Sequence, residues 1–391
     1  MGKLSDKTKL NIAMIGHKRI PSREGGVEIV VEELATRMAA SGHNVTCYNR
    51  GGHHVSGAEY DNGVKEQYKG VRIKRAWTID KKGLAAVTSS INASICAAFG
   101  KYDVVHYHAE GPCIGCFIPK LFGKKIVATI HGLDHRRAKW GKLASYIIMK
   151  GEKNAVKYAD EIIVLSKGVQ EYFRETYGRE TVYLPNGVSR PQLEEANIIK
   201  DKWGLNRDGY ILYLGRIVPE KGAHYLIDAY RAMHTDKKLV IAGGVSDSSE
   251  YYYSLLKQSR CFKNDNGVIK SKDGQIIFTD FIQGKTLAEL YSNAYIYVLP
   301  SDLEGMPLSL MEAMSYGNCC VTSDIPECVD VTNGHGLFFK AGDSVELANL
   351  LTELCDTPLY VEKFKAESAD YICGEYNWDV IAGDTVELYR K

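Results

Sequence analysis

Short apolar runs alternate with amphipathic stretches along the first half of the chain. The first run, residues 11–16, leads through a glycine-containing loop into residues 27–42, where apolar side chains recur every three or four positions. Similar apolar runs, each ending in a polar or glycine-bearing turn, occupy residues 43–49, 103–108, 125–131 and 161–166. Strands that alternate with helices in this way predict a parallel sheet covered by helices.

The same pattern restarts after a Pro-Asn-Gly turn at residues 185–187. Amphipathic stretches again separate apolar runs, which occupy residues 209–217, 238–244, 275–281 and 296–301. The restart predicts a second doubly wound unit and a domain boundary between Pro185 and Arg190. The expected fold class is therefore α/β, with an N-terminal Rossmann-like domain over residues 1–187 and a second one from residue 188.

Several loops at predicted strand ends carry candidate binding residues. Gly25 and Gly26 follow the first strand, and His131, Arg216 and Glu304 each follow another. Ligands of doubly wound sheets bind at the carboxyl ends of the strands. We therefore expect these loops to face one another across an interdomain cleft.

Two cations stand close together in the stretch "GRIVPEKG". The Arg216 guanidinium and the Lys221 ammonium follow one predicted strand. Their charges suit a diphosphate, whose negative charge is costly to desolvate without such partners. The alternative is an ordinary solvated turn between a strand and a helix.

The stretch "SDLEGMPLSLMEAMSYG", residues 301–317, holds two glutamates eight positions apart. Pro307 suits the first position of a helix, so Glu304 is expected in a loop and Glu312 inside the helix. The first amide groups of that helix, at Leu308 and Ser309, offer a second phosphate contact. Ionised carboxylates only accept hydrogen bonds, so they suit the hydroxyl groups of a hexose and a ribose. The alternative is a capping loop followed by a surface glutamate.

With these motifs, nearly the whole chain resembles the retaining GT-B glycosyltransferases of family 4. The segments that carry the resemblance are "GGVEIVVEELATRMAASGHNVTCY", "TIHG", "YADEIIVLS", "PNGV", "GRIVPEKG", "SDLEGMPLSLMEAMSYG" and "YNWDVIAGDTVELY". The stretches "GHKRIPSREGGVEIVVEELATRMA" and "HGLDHRRAKWGK" are similar to bacterial enzymes described as rhamnosyltransferase-like, which assemble surface polysaccharides.

The resemblance implies roles for single residues. Arg216 and Lys221 match the family's diphosphate-binding pair, Glu304 its donor-sugar glutamate, Glu312 its ribose glutamate and His131 its histidine beside the sugar. Gly132 follows where many members have aspartate, so no role is assigned there. The remaining donor-binding positions implied are Gly25, Gly26, Gly215, Phe281, Ile282, Gly305, Met306, Pro307, Leu308 and Ser309. The family's returning tail implies that a helix over 374–391 joins the first domain and that the second domain spans 188–373.

The resemblance also implies a reaction. We expect a sugar to pass from a nucleotide-diphosphate sugar to a glycan or lipid-linked glycan, with retention at the anomeric carbon and with neither cofactor nor metal ion. A sugar-nucleotide epimerase and a noncatalytic nucleotide-sugar-binding protein stay open as alternatives. A nicotinamide dehydrogenase is disfavoured, because "GHKRIPSREGG" lacks the G-x-G-x-x-G turn. The donor base, the sugar and the linkage are left open.

The composition limits which classes of partner and which cellular location are expected. The 49 Lys and Arg residues nearly balance 48 Asp and Glu residues, so the chain has no general attraction to nucleic acid. Its 10 cysteines are scattered, which favours reduced thiols and a cytoplasmic location. The first residues have no signal-peptide pattern, and no apolar run is long enough to span a membrane.

Two local features admit a second interpretation. Cys113 and Cys116 have C-x2-C spacing, but without a second pair they are expected to be core residues, and His53 and His54 add no convincing ligand set. The segment 135–157 joins basic residues to apolar ones; its basic and aromatic members include Arg136, Arg137, Lys139, Trp140 and Lys142. This segment predicts either peripheral contact with the inner face of a membrane or a solvated helix that covers the sheet.

Overall fold

Two open sheets form within the part of the chain that the computed structural model describes. That part comprises residues 8–23, 25–52, 66–81, 83–136, 141–244, 249–264 and 267–391. Unit 1 consists of Met1–Asn186 with Trp378–Lys391, and unit 2 consists of Gly187–Asn377. The motif residues His53, His54, Arg137, Lys139 and Trp140 lie outside the described residues.

In unit 1 the described strands form an eight-stranded sheet of order β3-β4-β2-β1-β5-β6-β7-β8, parallel except where β3 meets β4. The strands are β1 (Asn11–Ile15), β2 (Asn44–Arg50), β3 (Gln67–Tyr68), β4 (Val71–Ala76), β5 (Val104–His108), β6 (Lys125–Ile130), β7 (Glu161–Val164) and β8 (Val182–Tyr183). The helices are α1 (Gly26–Ala40), α2 (Ala85–Phe99), α3 (Phe117–Leu121), α4 (Lys142–Tyr158) and α5 (Lys167–Tyr177). Short 3-10 turns span Gly111–Gly115 and Asp134–Arg136.

In unit 2 the described strands form a second eight-stranded sheet, of order β11-β12-β13-β10-β9-β14-β15-β16. The strands are β9 (Tyr210–Leu214), β10 (Lys238–Ala242), β11 (Cys261–Lys263), β12 (Ile269–Ser271), β13 (Ile276–Asp280), β14 (Ile296–Leu299), β15 (Cys319–Ser323) and β16 (Leu337–Phe339). The helices are α6 (Ile198–Trp203), α7 (Ala223–Ala232), α8 (Ser249–Ser259), α9 (Gly284–Asn293), α10 (Leu308–Ser315), α11 (Pro326–Thr332), α12 (Ser344–Asp356) and α13 (Pro358–Glu375). A 3-10 turn spans Pro219–Lys221.

The α/β class and both doubly wound sheets are confirmed. The central strands of each sheet are buried on both faces and their apolar side chains build the two cores, as continuous apolar runs predict for parallel sheets. The antiparallel hairpin at β11 and β12 was not predicted, because its short strands are only partly buried and have no continuous apolar run.

The C-terminal helix α14 (Trp378–Arg390) belongs to unit 1. The Tyr389 hydroxyl lies 2.6 Å from His106 Nδ1, and Arg37 of α1 pairs with Asp379 at 2.7 Å. Lys125 Nζ donates to the Leu388 carbonyl at 3.0 Å. The sequence analysis expected the helix that joins the first domain to begin at residue 374. The structure instead groups residues up to Asn377 with unit 2 and starts this helix at Trp378. No helix in the described ranges is both long and apolar enough to cross a membrane.

Gly222 marks a close approach between two strand ends in unit 2. Its φ is +66°, and a Cβ atom added there would lie 1.8 Å from the Pro300 carbonyl oxygen. Pro300 follows β14, whereas Gly222 follows the turn after β9. A side chain at Gly222 would therefore separate the two loops.

We expect Gly222→Ala to destabilise the protein more than Gly204→Ala. Gly204 has a similar φ of +63°, but its added Cβ would only reach Lys238 Nζ, at 3.5 Å. Left-handed strain alone costs about 1–2 kcal/mol. The clash with Pro300 is expected to add about 1–3 kcal/mol. Urea unfolding of both variants measures the difference, and equal free energies of unfolding would show that the two loops are not tightly packed.

Candidate active site

The loops that follow β9 and β14 meet because these strands are neighbours in the sheet of unit 2. Their pairing includes Ile296 with Ile211 and Tyr297 with Leu212. The Asp302 amide donates to the Glu220 carbonyl at 3.0 Å, which joins the two loops directly. The predicted cations and the predicted donor-sugar glutamate therefore lie at one edge of one sheet.

Lys221 and Glu304 form an ion pair in this structure. Their side chains are only 15% and 6% exposed, so water screens the pair weakly. Ser301 Oγ also donates to Glu304 Oε1, at 2.7 Å. Glu304 is thus held by a cation and a hydroxyl, and its carboxylate lies where both strand ends meet.

Arg216 is half-buried just beyond β9, after Gly215. Within the described ranges no carboxylate forms an ion pair with its guanidinium, in contrast to Lys221. Tyr213 donates its hydroxyl to the Arg216 carbonyl at 3.2 Å, which fixes the backbone there. A Cβ added at Gly243 would lie 1.8 Å from the Gly215 carbonyl oxygen, so the end of β10 packs closely against this segment.

The glycine, methionine and proline of the motif lead into helix α10. Gly305, Met306 and Pro307 are buried, and the helix begins at Leu308 with Pro307 as its N-cap. The expectation that Pro307 is the first helical residue is wrong by one position, because its ψ of +87° is not helical. The amides of Leu308 and Ser309 nevertheless belong to the first turn, where helical N-H groups have no partner within the helix.

Glu312 lies on the second turn of α10 and is half-buried. The Tyr291 hydroxyl donates to Glu312 Oε2 at 3.3 Å. This tyrosine is fully buried on helix α9 and also donates to the Ser309 carbonyl at 3.2 Å. Glu312 is therefore held one helical turn away from the first amides of α10.

A buried tyrosine that the sequence analysis missed connects this helix to β9. Tyr297 on β14 donates to the Leu214 carbonyl at 3.1 Å, and its hydroxyl lies 2.9 Å from Ser309 Oγ. Burial raises the pKa of this phenol well above its usual value, so it stays neutral and can donate. The only signal in the sequence is a polar atom in an otherwise apolar strand.

Phe281 and Ile282 follow β13, which lies two strands from β9 in the sheet. Phe281 is 39% exposed despite its large apolar ring. Its Cβ would lie 3.3 Å from a Cβ added at Gly244, so the loop after β10 passes beside it. The ring offers an exposed surface on the same edge of the sheet as Arg216.

In unit 1 the predicted residues follow β1 and β6. Gly25 is the N-cap of α1 and Gly26 is its first residue. His131 follows β6, and its Nε2 lies 3.2 Å from His108 Nδ1 at the end of β5. His131 is therefore one member of a histidine cluster rather than an isolated side chain.

The other members of this cluster are buried and were not predicted as site residues. His106 contacts Thr129 Oγ1 at 2.7 Å, and burial lowers its pKa to about 3. Burial also lowers the pKa of His17 to about 4 and that of His108 well below its usual value. His108 is thus neutral near pH 7, and its hydrogen bond to His131 selects the tautomers of both rings.

Cys113 and Cys116 are fully buried in the core of unit 1, as expected. Cys113 Sγ donates to the Ala109 carbonyl at 3.3 Å. Burial raises the pKa of Cys116 to about 12, so its thiol stays protonated. Burial therefore disfavours the thiolate form of both residues.

Two family models match the chain. The model described as "Glycosyltransferase Family 4" matches residues 24–190, and the model described as "Glycosyl transferases group 1" matches residues 195–370. An uncharacterized glycosyltransferase of Methanocaldococcus jannaschii is 24% identical over 408 residues, covering 97% of this chain and 98% of that protein.

Solved structures share the fold. Sucrose-phosphate synthase from Thermosynechococcus elongatus superimposes with a TM-score of 0.77 at 21% identity, covering 97% of this chain and 98% of that one. Anabaena HepE in complex with UDP and glucose has a TM-score of 0.76 at 16% identity, covering 97% and 99%.

The fold and the family models together define the class of this protein as a glycosyltransferase of the GT-B type. Within that class, its N-terminal unit is similar to the family 4 enzymes, whose model matches residues 24–190.

The Lys221–Glu304 pair is expected to contribute to folding stability, and a double-mutant cycle measures its contribution. Lys221→Met leaves a buried carboxylate without its cation, which typically costs about 3–5 kcal/mol. Adding Glu304→Gln removes that charge, so the double variant should recover part of the loss. A coupling energy near zero would show that the pair is not formed in solution.

Proposed function

We propose that this glycosyltransferase moves a sugar from a nucleotide-diphosphate sugar to a glycan or lipid-linked glycan acceptor. The main support for this proposal is that several groups converge at the ends of the neighbouring strands β9 and β14. These groups are Arg216, Lys221, Glu304 and the N-terminus of α10. Two cations and a helix terminus suit a diphosphate. Carboxylates beside them suit sugar and ribose hydroxyl groups.

The ion pair between Lys221 and Glu304 suggests how the donor enters this site. In the free protein Lys221 is occupied by Glu304. A diphosphate would give the ammonium a second anionic partner and release one Glu304 oxygen to accept from a sugar hydroxyl. Arg216, which has no carboxylate partner among the described residues, would contact the diphosphate without first giving up an ion pair.

The chemical step is proposed to retain the anomeric configuration. As the glycosidic bond breaks, negative charge builds on the leaving diphosphate, and Arg216, Lys221 and the α10 amides would stabilise it. We assign no nucleophilic side chain and propose a front-face substitution, in which the acceptor oxygen attacks from the side that the diphosphate leaves. For His131, which lies 3.2 Å from His108 within unit 1, we propose the sugar-binding role that the family resemblance implies.

We further propose that the acceptor belongs to a bacterial surface polysaccharide and that the enzyme is rhamnosyltransferase-like. The support is the similarity of residues 16–39 and 131–142 to such enzymes. The UDP and glucose bound to HepE support a nucleotide-sugar donor for the fold. A donor labelled in its sugar decides the reaction class: transfer supports the proposal, whereas isomerisation alone or binding alone contradicts it.

Four substitutions separate the proposed roles. Arg216→Ala and Lys221→Ala should lower kcat on the order of 100- to 1,000-fold, because each removes a charge that stabilises the transition state. Glu312→Ala should mainly weaken donor binding, by roughly 10-fold, since a ribose contact acts equally in the ground state and transition state. Glu304→Ala should change both parameters, because a sugar contact sets orientation as well as affinity.

The readouts are turnover, donor affinity and the anomeric configuration of the product by NMR, after each variant is shown to fold. Glu346→Ala is a matched control, because Glu346 lies on α12 and accepts only from the Lys340 amide in the described contacts. Wild-type values for both Arg216→Ala and Glu304→Ala would refute the donor-site assignment. An inverted product would refute the retaining mechanism alone.

We propose that the diphosphate step needs no metal ion, because Arg216 and Lys221 supply the positive charge. Turnover in a chelator such as EDTA is therefore expected to stay near the value without chelator. The measurement is the initial rate at saturating donor, with chelator added together with the substrate. Loss of activity that Mg²⁺ or Mn²⁺ restores would show that a metal acts at the diphosphate.

We propose that unit 1 contacts an anionic membrane through helix α4. Leu143, Tyr146 and Met149 are 75%, 67% and 39% exposed along one side of this helix. The opposite side, with Ile148 and Ala155, is buried. Exposed lysines accompany the apolar side chains; they are Lys142, Lys150, Lys153 and Lys157. Apolar side chains flanked by lysines suit a surface of anionic headgroups.

The test is partitioning onto vesicles that contain phosphatidylglycerol. A lysine near such a surface contributes about 1 kcal/mol, so Lys150→Ala with Lys153→Ala should lower partitioning roughly 30-fold. Lys200→Ala with Lys202→Ala, on α6 of unit 2, is the matched control and should bind like the wild type. Equal binding by all three proteins, or equal binding to neutral vesicles, would contradict the assignment to α4.

A further inference from the structure

Three polar side chains that have no assigned role in donor binding converge in the interior of unit 1. Glu110 follows β5, His135 lies in the 3-10 turn after β6, and Glu152 lies on α4. A Cβ added at Gly151 would lie 2.1 Å from the Glu110 carbonyl oxygen, so α4 packs directly on the backbone at Glu110. This close packing brings the two glutamates together.

Two distances between the potential ligand atoms are close to the edge length of a tetrahedral zinc site. His135 Nδ1 lies 3.2 Å from Glu152 Oε2 and 3.6 Å from Glu110 Oε1. All three atoms lie within 4.8 Å of one another. Zinc binds imidazole nitrogen and carboxylate oxygen at about 2.0–2.1 Å, which makes the edges of a tetrahedron about 3.3–3.4 Å long.

The second oxygen of each carboxyl group is held by a donor from the protein. The Asp134 amide donates to Glu110 Oε2 at 2.9 Å. The Tyr172 hydroxyl donates to Glu152 Oε1 at 2.8 Å, and the Tyr177 hydroxyl donates to the same atom. Outer donors of this kind orient the carboxylates that ligate metals. They leave one oxygen of each glutamate directed at His135.

Within the described ranges, no residue forms a hydrogen bond with these three inward atoms. Glu110 Oε1, Glu152 Oε2 and His135 Nδ1 are all buried and face one another without forming a hydrogen bond of good geometry, and both glutamate side chains are 0% exposed. A buried polar atom without a partner is costly, and a buried carboxylate without a cation is more so. In the described part of the chain no lysine or arginine pairs with either glutamate. A dication would balance both charges and satisfy all three atoms.

We propose that Glu110, His135 and Glu152 bind one divalent transition-metal ion of the zinc type. The imidazole ligand and the short spacing favour zinc over Mg²⁺ or Ca²⁺, which prefer six or more oxygen ligands. With three protein ligands, the fourth position of the tetrahedron would hold water. The ion would tie the segment after β6, which also carries His131, to α4 and to the end of β5. Its role would be to fix this segment.

The experiment measures zinc binding by the full chain in the absence of donor. After stripping with a chelator, the wild type is expected to bind one Zn²⁺ in competition with a chromophoric chelator. His135→Ala and Glu152→Gln should weaken this binding by about 100-fold or more, above the roughly 10- to 100-fold expected for outer partners such as Tyr172→Phe. His335→Ala is the matched control, because His335 lies 3.8 Å from Glu367 in unit 2, outside the cluster, and it should bind like the wild type.

Cobalt substitution tests the coordination geometry and the absence of a thiolate ligand even if one variant does not fold. Co²⁺ in the wild type should give the visible absorption of a tetrahedral ion without the near-ultraviolet band of a thiolate ligand. Zinc should raise the Tm of the wild type and leave that of His135→Ala unchanged. Absence of stoichiometric zinc, a thiolate band, or equal zinc affinity in His135→Ala would overturn the proposal.

Discussion

The candidate donor site depends on the contact between Gly222 and the Pro300 carbonyl oxygen. Only a residue without a side chain allows the turn after β9 to approach the end of β14 this closely. The approach sets the position of Lys221, which immediately precedes Gly222, and of Glu304, which lies four residues beyond Pro300. The ion pair between them is a consequence of this backbone packing.

The pair also shows how a charged site is kept stable before a ligand arrives. A carboxylate that is 6% exposed would be costly without a partner, and Lys221 with Ser301 supplies one. Tyr297 connects the end of β9 to the start of α10 through two hydrogen bonds. Buried neutral groups thus hold the backbone of this site, and Lys221 and Glu304 hold each other.

In unit 1, close contacts between glycines and backbone carbonyl oxygens also position polar groups in the interior. A Cβ at Gly16 would lie 2.2 Å from the His108 carbonyl oxygen, just as one at Gly151 would meet Glu110. The first contact brings the loop after β1 to the histidine cluster, and the second brings α4 to the glutamates. Burial lowers the pKa values of these histidines, so they stay neutral and their burial costs little. Two buried carboxylates instead require a proton or a cation.

The alternation of apolar runs and amphipathic stretches determined the α/β class, because secondary structure in parallel sheets leaves a strong local pattern. The motif spacing also pointed to Arg216, Lys221, Glu304 and Glu312 as one group. The sequence did not reveal that Lys221 pairs with Glu304, that Tyr297 joins β9 to α10, or that Glu110 meets His135 and Glu152. These partners come from different strands and helices, so only the tertiary packing brings them close together. A local sequence pattern therefore cannot predict these contacts.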